Sequence, residues 1–190
     1  MSPVRRGVAR KLPNLLSLLR LTMVPAVVLL LIEERPGWAF ATFSAAALLD
    51  AVDGWLARRF DGETAIGAYL DPLADKALMM SSFIVLGTLG WLPVWLVVVV
   101  VSRDAAILGG IVLSTVVGLR LEVAPLTISK VNTVVQGVLV AGTIALAAFG
   151  LQDWPPGQAA RSLLAGLTAI STVVSGLAYG YGWARRALAD

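Results

Sequence analysis

Apolar residues run along the chain in six long stretches, over residues 12–32, 38–59, 65–89, 94–119, 131–150 and 162–183. Each is about the 20 residues that a helix needs to cross a hydrocarbon core. The breaks between them carry charge, proline or glycine: Glu33-Glu34-Arg35-Pro36-Gly37, residues 59–64, Gly90-Trp91-Leu92-Pro93, residues 120–129 with Pro125, and residues 152–158 with two prolines. Such residues end helices and start turns. The pattern predicts an all-α polytopic membrane protein with six transmembrane helices. Residues 1–190 read as a single membrane domain, opened by a basic juxtamembrane segment at 1–11. The first apolar stretch is too long for a signal-peptide core and lacks a convincing cleavage site, so it is expected to be a retained span. Inverted repeats of the kind many transporters carry are absent from the sequence.

Composition sharpens this picture. Of 190 residues 58% are hydrophobic and 14% charged, and the mean hydropathy is +0.83. Values this apolar exclude an ordinary soluble domain. With no cysteine and no histidine, disulfides, thiolate metal sites and the commonest general base are excluded, so any chemistry runs on carboxylates, Lys, Arg and hydroxyls. The net charge of +3 is too small to imply nucleic acid when the basic residues mostly flank apolar spans. Only Arg35 and Arg161 fall at the turns after the first and fifth spans. By the positive-inside rule both termini are expected to be cytoplasmic, with Trp38, Trp91, Trp95 and Trp154 as interfacial anchors at the opposite ends.

Four carboxylates, Asp50, Asp53, Asp71 and Asp75, lie inside the second and third spans. Each charge at mid-membrane costs about 2.5–3.5 kcal/mol on insertion scales, so four uncompensated ones would cost on the order of 10 kcal/mol. Residues three or four apart share a helix face, which puts Asp50 with Asp53 and Asp71 with Asp75. An all-carboxylate set suits hard divalent cations, Mg²⁺ or Mn²⁺, and two such ions would offset the four charges. The acids could instead pair with Arg58, Lys76 or Arg103 and only orient helices, or line a cation channel or transporter path.

The residues between the acids carry more information. From Asp50 to Asp75 the chain reads DAVDGWLARRFDGETAIGAYLDPLAD, or D-x2-D-G-x2-A-R-x8-G-x3-D-x3-D. This resembles the signature of the CDP-alcohol phosphatidyltransferase family at all eight defining positions. The resemblance implies a six-helix membrane core whose active site opens to the cytoplasmic side, commonly a homodimer, in which the phosphatidyl group of CDP-diacylglycerol passes to an acceptor hydroxyl and CMP leaves. It implies that Asp50, Asp53 and Asp71 are metal ligands and that Asp75 serves a second metal and acts as general base. Gly54 and Ala57 on the second span are small enough for a bulky group to approach the backbone, or for close helix packing. The family places the cytidine nucleotide against these positions and Gly67. Arg58 can meet a diphosphate with its planar fork or simply snorkel, and Asn14 can line the CDP-lipid pocket or cap a helix.

Candidates for the acceptor site are the remaining membrane-depth cations Arg20, Lys76 and Arg103, with Lys130 at the mouth of the fifth span. Arg103 beside Asp104 could equally be an internal ion pair, Lys130 an interfacial lysine and Arg20 a structural arginine. Residues 13–20 and 70–76 look like the branch of the family with anionic, glycerol-containing acceptors. Within it, Ser102-Arg103-Asp104 and Ile128-Ser129-Lys130-Val131-Asn132-Thr133 look more like the cardiolipin-forming enzymes. Asn132 stands where a second lysine would raise the positive charge. The expectation is therefore phosphatidylglycerol as acceptor, giving cardiolipin, with glycerol 3-phosphate as the alternative. The short basic N-terminus fits a bacterial cytoplasmic membrane.

Overall fold

A computed structural model describes the backbone of residues 3–60, 67–116 and 127–187, with side chains at residue 16 and over 18–52, 73–110 and 127–182. These residues form six α-helices and no strand: α1 (Pro3–Ile32), α2 (Pro36–Phe60), α3 (Gly67–Thr88), α4 (Val94–Val116), α5 (Thr127–Ala148) and α6 (Pro155–Ala187). The all-α expectation therefore holds for the described residues. Of the loops expected at 59–64 and 120–129, residues 61–64 and 120–126 lie outside the described residues, whereas 59–60 belong to α2 and 127–129 to α5.

Four helices, α1, α2, α5 and α6, begin earlier than the apolar pattern indicates, α1 and α6 by the most. Most of the segment expected to be a separate basic leader belongs to the first turns of α1, because its Arg, Ala, Lys and Leu residues are good helix formers whatever their polarity. The prolines expected to make the last turn instead open α6 at Pro155-Pro156. Proline is favourable in a first helical turn, where its missing N–H has no partner to lose.

Three helices stop by one device. After α1 the amide of Arg35 donates to the Leu30 carbonyl at 2.9 Å and that of Glu34 to Leu31 at 3.1 Å. The same pair of bonds recurs after α3, from Trp91 to Leu86 and Gly90 to Gly87, and after α5, from Leu151 to Leu146 and Gly150 to Ala147. The motif satisfies carbonyls that the helix end leaves open and needs one left-handed residue. Gly90 and Gly150 supply it at φ 74° and 67°, but after α1 it is Glu34, at φ 56°. Gly37, the only glycine of that break, instead lies in the first turn of α2.

The chain divides into two compact units, residues 1–85 with 144–151 and residues 86–143 with 152–190. In the first, α1 packs along α2, Val27, Leu31, Ala39, Phe43 and Ala46 are buried, and the rings of Phe40 and Phe149 meet edge to face at 6.1 Å. In the second, α4 packs on α6, and the turn after α3 folds Gly87 against α4. A Cβ at residue 87 would lie 2.7 Å from Cγ2 of Val97. Valine is stiff about χ1 and has little room to yield. Gly87→Ala is expected to destabilise the protein by about 1–3 kcal/mol, read as a lower unfolding midpoint in detergent micelles.

The sides of α6 reverse the usual arrangement. Leu163, Leu167, Ile170, Val174, Leu177 and Tyr181 are exposed along one face, whereas Thr168, Thr172 and Ser175 are buried on the other. Water would drive such a helix the opposite way round. Lipid suits it, because the apolar face is solvated by acyl chains and the hydroxyls find partners inside. Among the described residues α5, over 22 residues, and α6, over the 28 residues Pro155–Gly182, are long and apolar enough to cross a membrane.

Candidate active site

The signature acids sit on uninterrupted helix backbone, Asp50 and Asp53 in α2 and Asp71 and Asp75 in α3. The three- and four-residue spacings therefore put each pair on one helix face. Side chains are described for Asp50 and Asp75. Those of Asn14, Asp53, Gly54, Ala57, Arg58, Gly67 and Asp71 lie outside the described residues.

The side chain of Asp50 is half exposed, at 51%, and Arg20 forms an ion pair with it from a position that is only 1% exposed. The geometry follows from the hairpin of α1 and α2. Arg20 precedes the Glu33-Glu34-Arg35 turn by about as many residues as Asp50 follows it, so the two reach the same level of the helix pair. The acid is thus not bare. Its partner is Arg20, which sequence reasoning had placed with the acceptor. A buried guanidinium holds a carboxylate in one orientation, since its fork is planar and its own charge needs the partner.

Asp75 is half-buried on α3, between buried Ala74 and half-buried Lys76. With only Asp50 and Asp75 of the signature acids described, the described residues contain no group of three or more metal-ligating side chains. The donor set itself fits a divalent cation. All four signature residues offer carboxylate oxygen, and Asp50 stands on the surface of α2 where an ion can reach it. Oxygen-only donors match Mg²⁺ or Mn²⁺ and give nothing to a thiophilic metal.

The other charged cluster lies wholly within the second unit. Arg103 of α4 is 8% exposed and Asp104 only 1%. Nη1 of Arg103 donates to Oδ1 of Asp104 at 2.6 Å, and Nη2 donates to Oγ of Ser129 on α5 at 2.8 Å and to Oγ of Ser175 on α6. The ring of Tyr179 lies 5.7 Å from the guanidinium carbon. Arg103 thus ties α4, α5 and α6 together with its charge balanced internally, and Ser129 is the residue before the exposed Lys130. Beside it a cavity of about 400 Å³ runs between α4 and α6, walled by Ile107, Gly110, Val173, Gly176 and Tyr179.

Below Arg103 the hydrogen bonding continues along α5 and α6. Oδ1 of Asn132 accepts from Oγ of Ser171 at 2.7 Å and from Oγ1 of Thr172 at 2.9 Å. Nε2 of Gln136 reaches the same Thr172 at 3.4 Å. Asn132 is fully buried and binds α5 to α6 through these two bonds. This seam was missed in the sequence. Its signal was there, in polar residues spaced by three and four at 129, 132 and 136 and again at 168, 171, 172 and 175.

Comparison with known proteins adds what these side chains leave open. The model of the CDP-alcohol phosphatidyltransferase family matches residues 10–174, which covers most of the chain and parts of both units. The chain belongs to that family. Among its relatives, the chloroplastic CDP-diacylglycerol--glycerol-3-phosphate 3-phosphatidyltransferase 1 of Oryza sativa subsp. japonica is 34% identical over 186 residues, 89% of this chain and 56% of the relative. Human cardiolipin synthase (CMP-forming) is 33% identical over 184 residues, 88% of this chain and 60% of the relative. A probable phosphatidylglycerophosphate synthase of Mycobacterium tuberculosis is 36% identical over 175 residues, 88% and 79% respectively. The chain thus spans little more than half the length of the plant and human relatives. Relatives named for cardiolipin and for phosphatidylglycerophosphate synthesis match it about equally well.

Proposed function

We propose that the protein is a CMP-forming cardiolipin synthase, transferring the phosphatidyl group of CDP-diacylglycerol to a hydroxyl of phosphatidylglycerol. The observation that carries the transferase reading is the complete eight-position acid signature inside the matched region, with Asp50 held on α2 by a buried arginine. The acceptor reading rests on the residues around Arg103 and Lys130. Phosphatidylglycerophosphate synthesis from glycerol 3-phosphate is the second reading, favoured by two of the relatives above.

In this reading Asp50, Asp53, Asp71 and Asp75 would hold two divalent ions, Mg²⁺ or Mn²⁺. When bound, these supply charge stabilisation on the diphosphate and on the departing phosphate of CMP. Arg20 fixes Asp50, so that the carboxylate is preorganised rather than found by search among rotamers. Gly54, Ala57 and Gly67 leave room for the cytidine, and Arg58 and Asn14 bind the CDP-lipid. The acceptor hydroxyl oxygen forms a bond to the lipid-linked phosphorus as the bond from that phosphorus to the CMP oxygen breaks. Asp75 takes the hydroxyl proton and passes it to water. Lys76 and Lys130 are the proposed contacts of an anionic acceptor, and Arg20 and Arg103 act through the side chains they hold, Asp50 and Ser129. The chain crosses a bacterial cytoplasmic membrane six times with both termini cytoplasmic, works as a homodimer in a single membrane domain, and opens its site to the cytoplasm, where the nucleotide is.

The acceptor is tested by competition. Purified protein is given CDP-diacylglycerol, Mg²⁺ or Mn²⁺, and equal phosphatidylglycerol and glycerol 3-phosphate, and the lipid product is identified by mass. Cardiolipin is the expected product, and phosphatidylglycerophosphate would move the chain to the second reading with its acids and base unchanged.

A further inference from the structure

Within the second unit the turn after α3 and the second turn of α6 enclose a cavity of about 240 Å³. The catalytic reading makes no use of it. Its wall includes Trp91, Leu92 and Pro93 from the turn and Arg161, Ser162 and Ala165 from α6.

The wall combines two chemistries. Arg161, Ser162 and Trp91 carry a guanidinium, a hydroxyl and an indole N–H, and no acid lines the cavity. The turn's own amides are occupied, since Gly90, Trp91 and Leu92 donate to carbonyls of Gly87 and Leu86. The available donors are therefore side chains. Arg161 has no ion pair among the described residues, whereas Arg35, the other cation at such a turn, lies 3.5 Å from Glu33. A guanidinium with neighbouring neutral donors recognises an anion with several acceptor oxygens, and phosphate above all. Leu92, Pro93 and Ala165 make the rest of the wall apolar, which suits a phosphate carrying hydrocarbon better than a free ion.

Depth along the helix agrees. Arg161 lies six residues into α6, roughly 9 Å from the helix start. Trp91 and the exposed Trp154 and Trp95 mark the same helix ends, and tryptophans concentrate where headgroups meet hydrocarbon. We propose that this cavity binds the phosphodiester headgroup of an anionic membrane phospholipid, with Arg161 as its principal contact.

Native mass spectrometry of the full chain in neutral detergent tests this without turnover, so the result stands apart from the proposed reaction. The probe is phosphatidylserine, an anionic phosphodiester lipid that is neither donor nor acceptor in that reaction, with phosphatidylcholine and inorganic phosphate as comparisons. Wild-type protein is expected to retain phosphatidylserine about fivefold more tightly than Arg161→Gln, the value of one basic residue near a lipid surface. Arg161→Lys should fall between, and phosphatidylcholine should be held weakly by all three. Equal retention by wild type and Arg161→Gln, or equal retention of phosphatidylcholine, would overturn the proposal. Displacement of the lipid by inorganic phosphate would also overturn it, in favour of a soluble anion. Should Arg161→Gln fail to fold, Trp91→Phe keeps the ring and removes one donor. Weaker retention there is the expected result and unchanged retention the contrary one.

Discussion

Asp75→Asn is expected to lower CMP release by about 10²- to 10⁴-fold at saturating CDP-diacylglycerol and acceptor, the range for losing a general base. Asparagine keeps the shape of the carboxyl side chain but cannot accept the hydroxyl proton or carry charge to a divalent ion. Asp75 is half-buried on α3, and the substitution removes a charge from the helix rather than creating one, so the chain should still fold. The expected signature is therefore lost turnover with helicity and detergent-stable assembly retained, measured by CMP release and circular dichroism on the same preparation. Asp50→Asn bears on stability through Arg20. It would leave Arg20, only 1% exposed, facing a neutral partner, and stability as well as turnover should fall. Activity near wild type in Asp75→Asn would remove the proton-accepting role from this residue.

The second large effect concerns stability. Arg103→Leu removes the bond to Asp104 at 2.6 Å and the bonds to Ser129 and Ser175, leaving Asp104 buried and charged. Breaking a buried pair from one side costs about 3–5 kcal/mol, because the remaining buried charge loses its counter-charge in that pair. Replacing both members, as in Arg103→Leu with Asp104→Leu, should recover much of that loss, since a neutral pair of similar volume strands no charge. Unfolding midpoints of the two variants in detergent read the difference directly. If the single variant were as stable as wild type, the three-helix tie centred on Arg103 would not bear on stability.

Much of this fold was legible because breakers mark helix ends. The break at Gly90 to Pro93 is a turn throughout, and that at Glu33 to Gly37 is a turn over its first three residues, with Pro36 and Gly37 already in α2. What failed was reading polarity as a helix boundary. The basic residues before residue 12 and the two prolines at 155 and 156 belong to helices, since helix propensity and first-turn proline obey the backbone, whereas apolarity reports the solvent. Within the site, the signature was legible as spacing along two helices. The Arg20 to Asp50 pair was not inferred, although equal distance from one turn places both at one level. The Asn132 seam escaped for a different reason: hydroxyls and amides in an apolar run look like dilution until the neighbouring helix supplies their partners.

The most direct test of the central claim is CMP release by the purified full chain from CDP-diacylglycerol and phosphatidylglycerol, measured with Mg²⁺ or Mn²⁺ present and again after chelation. The predicted result is CMP formed in step with cardiolipin only while the metal is present, restored when metal is returned. No metal-dependent CMP release, with phosphatidylglycerol or with glycerol 3-phosphate, would contradict the account.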